Sequence, residues 1–130
     1  MLKLAFIAIG GAIGTAFRYV ISGVDFKFSN GVFPASTFVV NIAGSLIIGF
    51  LWVMFEKVDV SSTLRMFVFV GILGGFTTFS TFSLENLHLL RDGEFKIAFL
   101  NILLTNLLGI AFVFVGFAAA KFFSSLVKSL

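Results

Sequence analysis

The residues able to handle an ion crowd into one stretch, 71–85, which reads GILGGFTTFSTFSLE. It carries hydroxyls at Thr77, Thr78, Ser80 and Thr81, the phenylalanines Phe79 and Phe82, and the carboxylate of Glu85, all between apolar flanks. Wound as one helix, Thr77, Thr81 and Glu85 fall at i, i+4 and i+8 and form a single hydroxyl-to-carboxylate track, with Phe79 and Phe82 side by side on a neighbouring face. A hydroxyl donates to an anion or accepts from the shell of a cation, so hydroxyls alone leave the sign of the ion open. An aromatic ring is negative on its face and positive at its edge. Rings turned edge-on to a cavity therefore favour an anion, and rings turned face-on a cation. Packing is the commoner role of paired phenylalanines in a chain with 20 of them, and only their place between hydroxyls sets these apart.

Polar chemistry of this kind has an unusual setting. Of the 130 residues 59% are hydrophobic and 12% charged, with a mean hydropathy of +1.15, which defines an integral membrane protein. Cysteine is absent, which removes disulfides, thiolate metal sites and cysteine nucleophiles. The nine Lys and Arg residues stand singly along the chain and form no patch that grips nucleic acid. No nucleophile, base and orienting group share a catalytic spacing, and the glycines of GILGGF match no phosphate-cradling motif. Enzyme activity is not expected.

Four apolar segments must position the central stretch, with spans at about 4–23, 35–55, 64–90 and 95–123 in one unit covering 1–130. The third exceeds the roughly 20 residues needed to cross a bilayer. With glycines at 71, 74 and 75 it predicts a helix broken at mid-membrane, which survives only where the freed backbone is buried or lines a polar cavity. The expected fold is an all-α membrane protein of four transmembrane helices. A bundle of this size fills its own interior, so a pore would need a second copy.

Several side chains outside the central stretch belong to the same question. Gly10 and Gly14 make a GxxxG pair through which another helix can come close. Arg18 and Tyr19 stand near the end of the first span, where the arginine either anchors at the interface or attracts an anion at a mouth. Asn41 shares a face with Gly44 and Ser45, and an amide at mid-span must find a partner to offset its desolvation. Glu85 is read either as a buried functional carboxylate or as an interfacial one, with His88 and Arg91 following. A lone histidine builds no zinc site. Asn101, Thr105 and Gly109 recur every four residues and give the last span one polar stripe.

The charges predict an insertion with little preference of direction. With four spans, one side of the membrane holds Lys3, Lys57, Arg65, Lys121 and Lys128, and the other Arg18, Lys27, Arg91 and Lys96, five against four. Orientation follows the excess of Lys and Arg, so a difference of one leaves it nearly undetermined and points to dual topology. An inverted copy then supplies the second half that larger transporters carry as an internal repeat.

Four motifs, GGAIGTAFRY, VNIAGSLIIG, GILGGFTTFSTFSLE and NILLTNLLG, one in each span, make the chain resemble the CrcB-type fluoride channels, also called Fluc. The resemblance implies a passive fluoride channel of the cytoplasmic membrane, working as an antiparallel dual-topology homodimer with two pathways at the subunit interface. By that resemblance the fluoride pathway takes in Asn41, whose amide donates to the ion, and the ring edges of Phe79 and Phe82. Ser80, Thr81 and Thr105 belong to its polar track, Glu85 stands near its end and Arg18 in its vestibule. The backbone carbonyls of Gly74 and Thr77 are implied to hold a central structural sodium. The chain departs from relatives in carrying Ser36-Thr37-Phe38 before the second-span asparagine and Asn101 where some have tyrosine, and Asn101 receives no role. A small multidrug exporter is a rival, but the span 4–23 lacks the carboxylate that couples such exporters to protons. A non-transporting assembly subunit is the other rival, and ion flux separates it.

Overall fold

The computed structural model describes residues 1–24 and 32–129. Asp25, Lys27, Asn30 and Gly31, which fall between the first and second expected spans, lie outside the described residues. Among the described residues, four helices are long and apolar enough to cross a membrane. The first is Leu2–Ser22, the second Ala35–Lys57 and the fourth Phe95–Ser129. The third is in two halves. Its front half, residues 62–76, begins at Ser62–Arg65, winds through wide π-helical turns at Met66–Leu73 and closes at Gly74–Phe76. Its back half is Phe79–Arg91. The break expected from the length of the segment is present, at Thr77 and Thr78.

Each helix starts or stops where the local chemistry requires. Pro34 stands just before the second helix, where a residue without an N–H costs nothing. Ser61 caps the third, its hydroxyl accepting from the Leu64 N–H at 3.2 Å. The turn between the third and fourth helices passes through Gly93 at φ 81, a left-handed conformation that L side chains rarely adopt. At the membrane edge the Arg65 guanidinium donates to the Phe55 carbonyl and lies over the Phe55 ring, while the Trp52 indole donates to Glu56 at 2.8 Å. These amphipathic groups sit where a headgroup layer would meet them.

The helices pack as two close pairs, the first against the front half of the third and the second against the fourth. Both pairs depend on bare backbone. A Cβ on Gly14 would stand 2.0 Å from the Ile72 carbonyl oxygen, and one on Gly116 would stand 2.1 Å from that of Leu46. With lipid as apolar as any leucine, close van der Waals approach is what drives such helices together. The partner of the GxxxG pair is thus the front half of the third helix. Little of the molecule is sealed from its surroundings, and large apolar side chains such as Phe99, Ile110 and Phe114 are exposed along the fourth helix.

Candidate functional site

The site is built around the break. Phe76 ends the front half, and Thr77 and Thr78 run extended, with ψ of 157 and 120. The Thr77 hydroxyl turns back to donate to the Leu73 carbonyl at 3.0 Å. Thr77 therefore does not continue the track drawn from helical spacing; the break displaces it, and only Thr81 and Glu85 keep the i, i+4 relation within one helix. Thr78 caps the back half instead, its oxygen accepting from the Thr81 N–H at 3.3 Å while its hydroxyl donates to Thr81 Oγ1 at 3.0 Å.

Asn41 clamps this joint from the second helix. Its Nδ2 donates to the Thr78 carbonyl at 3.1 Å, and its Oδ1 accepts from the Thr78 N–H at 2.9 Å. Ser45 donates to the Asn41 carbonyl at 2.8 Å. One turn on, Gly44 lets the joint come close, for a Cβ there would stand 2.2 Å from Thr77 Cγ2. The same side chains take the helical donors of two carbonyls. In an unbroken helix the Thr78 and Thr81 N–H groups would close on Gly74 and Thr77, and here side chains take both donors.

Beside the joint opens a cleft of about 350 Å³ whose lining includes Asn41, Gly74, Thr77, Phe79, Phe82 and Thr105. The two rings lie 5.7 Å apart between centroids and are tilted by 42°. Their settings differ sharply, since Phe82 is 6% exposed and Phe79 is 76% exposed. A second cleft, of about 250 Å³, brings Arg18 together with Thr37, Thr78 and Thr81. Ser80 is exposed and lies outside the linings of both clefts.

Glu85 stands on the back half beside a third hollow that also includes Pro34, His88 and Asp92. The Thr37 hydroxyl donates to Glu85 Oε1 at 2.6 Å, whereas Oε2 is buried with no protein donor among the described residues. Thr37 and Thr78 are the residues of the candidate site that spacing alone did not single out. Thr37 stood only in a departure from relatives, and Thr78 was one hydroxyl among four. Helix-cap preference alone does not find Thr78, because Thr77 and Ser80 suit an N-cap as well by residue type. Nothing local to Thr37 announces its partner 48 residues away.

A multi-pass membrane protein built on a broken, amide-clamped helix that faces an open cleft of apolar and polar side chains is the class these features define. Residues 5–117 match the family model described as CrcB-like protein, Camphor Resistance (CrcB), and the chain belongs to that family. It is 41% identical over 128 residues to the fluoride-specific ion channel FluC of Parabacteroides distasonis, covering 98% of this chain and 100% of that protein. It is 47% identical over 111 residues to the protein of the same name from Desulfotalea psychrophila, covering 85% and 86%. A third relative of that name, from Desulforapulum autotrophicum, is 43% identical over 120 residues, covering 92% and 96%.

Proposed function

We propose that this chain forms a fluoride-selective passive channel through which fluoride leaves the cell across the cytoplasmic membrane. The observation that carries the reading is the convergence of Asn41, Phe79, Phe82 and Thr105 on one open cleft at the helix break. The names of its relatives as fluoride-specific ion channels point the same way. Fluoride is small and strongly hydrated, so crossing requires donors and positive edges in place of water, each hydrogen bond to a charged group contributing about 1.5–3 kcal/mol. Asn41 has two Nδ2 protons and one is engaged by Thr78, which leaves the other for an ion. The ring edges of Phe79 and Phe82 add attraction without a fixed charge, keeping binding weak enough for release. Arg18 draws anions toward the second cleft, where Thr81 begins a polar track that runs on to Glu85, one turn further along the same helix. No energy coupling is involved, and the channel relieves cells of fluoride that enters as neutral HF and ionises inside.

The working unit of this reading is an antiparallel homodimer embedded in lipid, with two pathways at the interface. Its support is the five-to-four charge balance read from the sequence and the 76% exposure of Phe79, a ring that a second copy would cover. A central sodium fits the same arrangement. The Gly74 and Thr77 carbonyls have lost their helical donors to Asn41 and Thr78, and free carbonyl oxygens suit a hard cation. Such an ion would fix the two breaks against each other by charge. The deciding experiment is fluoride efflux from liposomes carrying the purified protein, followed with a fluoride electrode. Fast electrogenic efflux with chloride excluded is expected; equal chloride passage rejects selectivity, and no flux at all favours an assembly subunit.

A further inference from the structure

Behind the cleft wall, three polar side chains form a chain whose direction is forced. The Asn86 Nδ2 donates to the Phe82 carbonyl at 2.7 Å, and that acceptor, being backbone, cannot reverse. Asn86 must therefore turn its Oδ1 away, toward the fourth helix, where it accepts from Asn101 Nδ2 at 3.1 Å. Asn101 in turn presents its Oδ1 to Thr105, whose hydroxyl donates to it at 3.1 Å. Asn101 is 1% exposed and Asn86 5% exposed, so neither amide has water with which to rearrange. A threonine hydroxyl has one proton and two lone pairs. With the proton engaged behind the wall, Thr105 has only lone pairs left to turn toward the cleft it lines.

We propose that Asn101 is a positioning residue that fixes the Thr105 hydroxyl as an acceptor, so that this wall of the cleft takes a water molecule or another hydrogen-bond donor and not the bare anion. The inference rests on the fluoride path proposed above and refines it: Asn41 and the ring edges meet the ion directly, and Thr105 meets it through water. A lone pair aimed at fluoride repels it, whereas a water held by Thr105 still has a proton to offer the ion. The same chain ties the back half of the third helix to the fourth at the Phe82 backbone.

The test removes the direction-setting amides and asks what the Thr105 proton then does. Replacing both as Asn86→Leu/Asn101→Leu strands neither partner and is expected to preserve the dimer. Released, the hydroxyl can donate into the cleft, and the fluoride concentration giving half-maximal flux falls by about threefold or more, part of what one hydrogen bond to an ion contributes. Adding Thr105→Val to that background abolishes the tightening. Asn101→Ala is the second variant should the paired one fail to assemble, and it is read in the same way. Unchanged or weaker fluoride dependence, or tightening that survives Thr105→Val, overturns the proposal. Melting curves supply an arm that needs no fluoride: Thr105→Val lowers the melting temperature more in the native background than in the leucine pair. Equal shifts in the two backgrounds also overturn it. If the native protein passes no fluoride, the path itself is rejected, and the melting comparison decides the Asn101–Thr105 bond alone.

Discussion

Asn41 holds Thr78 by both of its backbone groups, accepting from the N–H at 2.9 Å and donating to the carbonyl at 3.1 Å. One side-chain amide thus replaces the helical acceptor that the break takes from the Thr78 N–H and adds a second donor to a carbonyl that also opens the back helix. The bonds that keep the joint extended also put the amide at the edge of the cleft, so in Asn41 the fold and the proposed chemistry depend on one residue.

Two substitutions at this position separate those roles. Asn41→Leu leaves the Thr78 N–H without a partner, while the Thr78 carbonyl keeps the first bond of the back helix, and is expected to destabilise the protein by about 1–3 kcal/mol, the cost of one unpaired group. Asn41→Asp keeps the acceptor for the N–H but places a carboxylate where an anion must pass. Its fluoride flux should fall by on the order of 100-fold with a smaller loss of stability. Melting curves and liposome efflux check the pair, and retained flux in Asn41→Asp would remove the amide from the pathway.

Phe79 and Phe82 should respond differently although they touch. Phe82→Ala opens a hole inside a single copy and is expected to cost about 3–5 kcal/mol. Phe79→Ala removes a ring that is 76% exposed, so its stability cost should appear only in the assembled dimer. The gentler Phe79→Ile and Phe82→Ile are both expected to slow fluoride greatly while the dimer persists. Native flux in both isoleucine variants would return these rings to packing.

Gly44→Ala tests the closeness of the joint. A methyl placed 2.2 Å from Thr77 Cγ2 must push the break away from the second helix, at an expected cost of about 1–3 kcal/mol. Because the Asn41 clamp works only at that separation, flux should fall together with melting temperature. A stable, conducting Gly44→Ala protein would show that the joint can move aside.

Thr37 is expected to matter through Glu85. Thr37→Val deletes the hydroxyl that donates at 2.6 Å to a half-buried carboxylate whose other oxygen has no protein donor among the described residues. The expected loss is about 1–3 kcal/mol. Thr37→Ser restores the donor and with it the stability. If valine and serine variants melt alike, the contact is incidental.

Sodium should stabilise the dimer if it sits at the break. An ion that binds only the folded state contributes about 2.7 kcal/mol at a hundred times its dissociation constant. Melting temperature is therefore expected to rise with sodium and to rise less with potassium at equal ionic strength. Superimposable curves in the two salts would leave the Gly74 and Thr77 carbonyls without their proposed ion.

Much of this protein was legible in the chain by itself, because bilayer thickness and hydropathy are local quantities. Four apolar runs, an overlong third one with glycines near its middle, and polar residues confined to a few positions define four crossing helices and one break. Spacing could not show what the break does to the residues around it. Helical periodicity put Thr77 in line with Thr81 and Glu85, yet two extended residues rotate the second half relative to the first, and the Thr77 hydroxyl turns back to Leu73. The hydrogen bonds of Asn41 to Thr78, Thr37 to Glu85 and Asn101 to Asn86 join different helices, and their sequence separations are 37, 48 and 15. Only packing chooses such partners, since a buried amide or hydroxyl pairs with whatever group the neighbouring helix brings within about 3 Å.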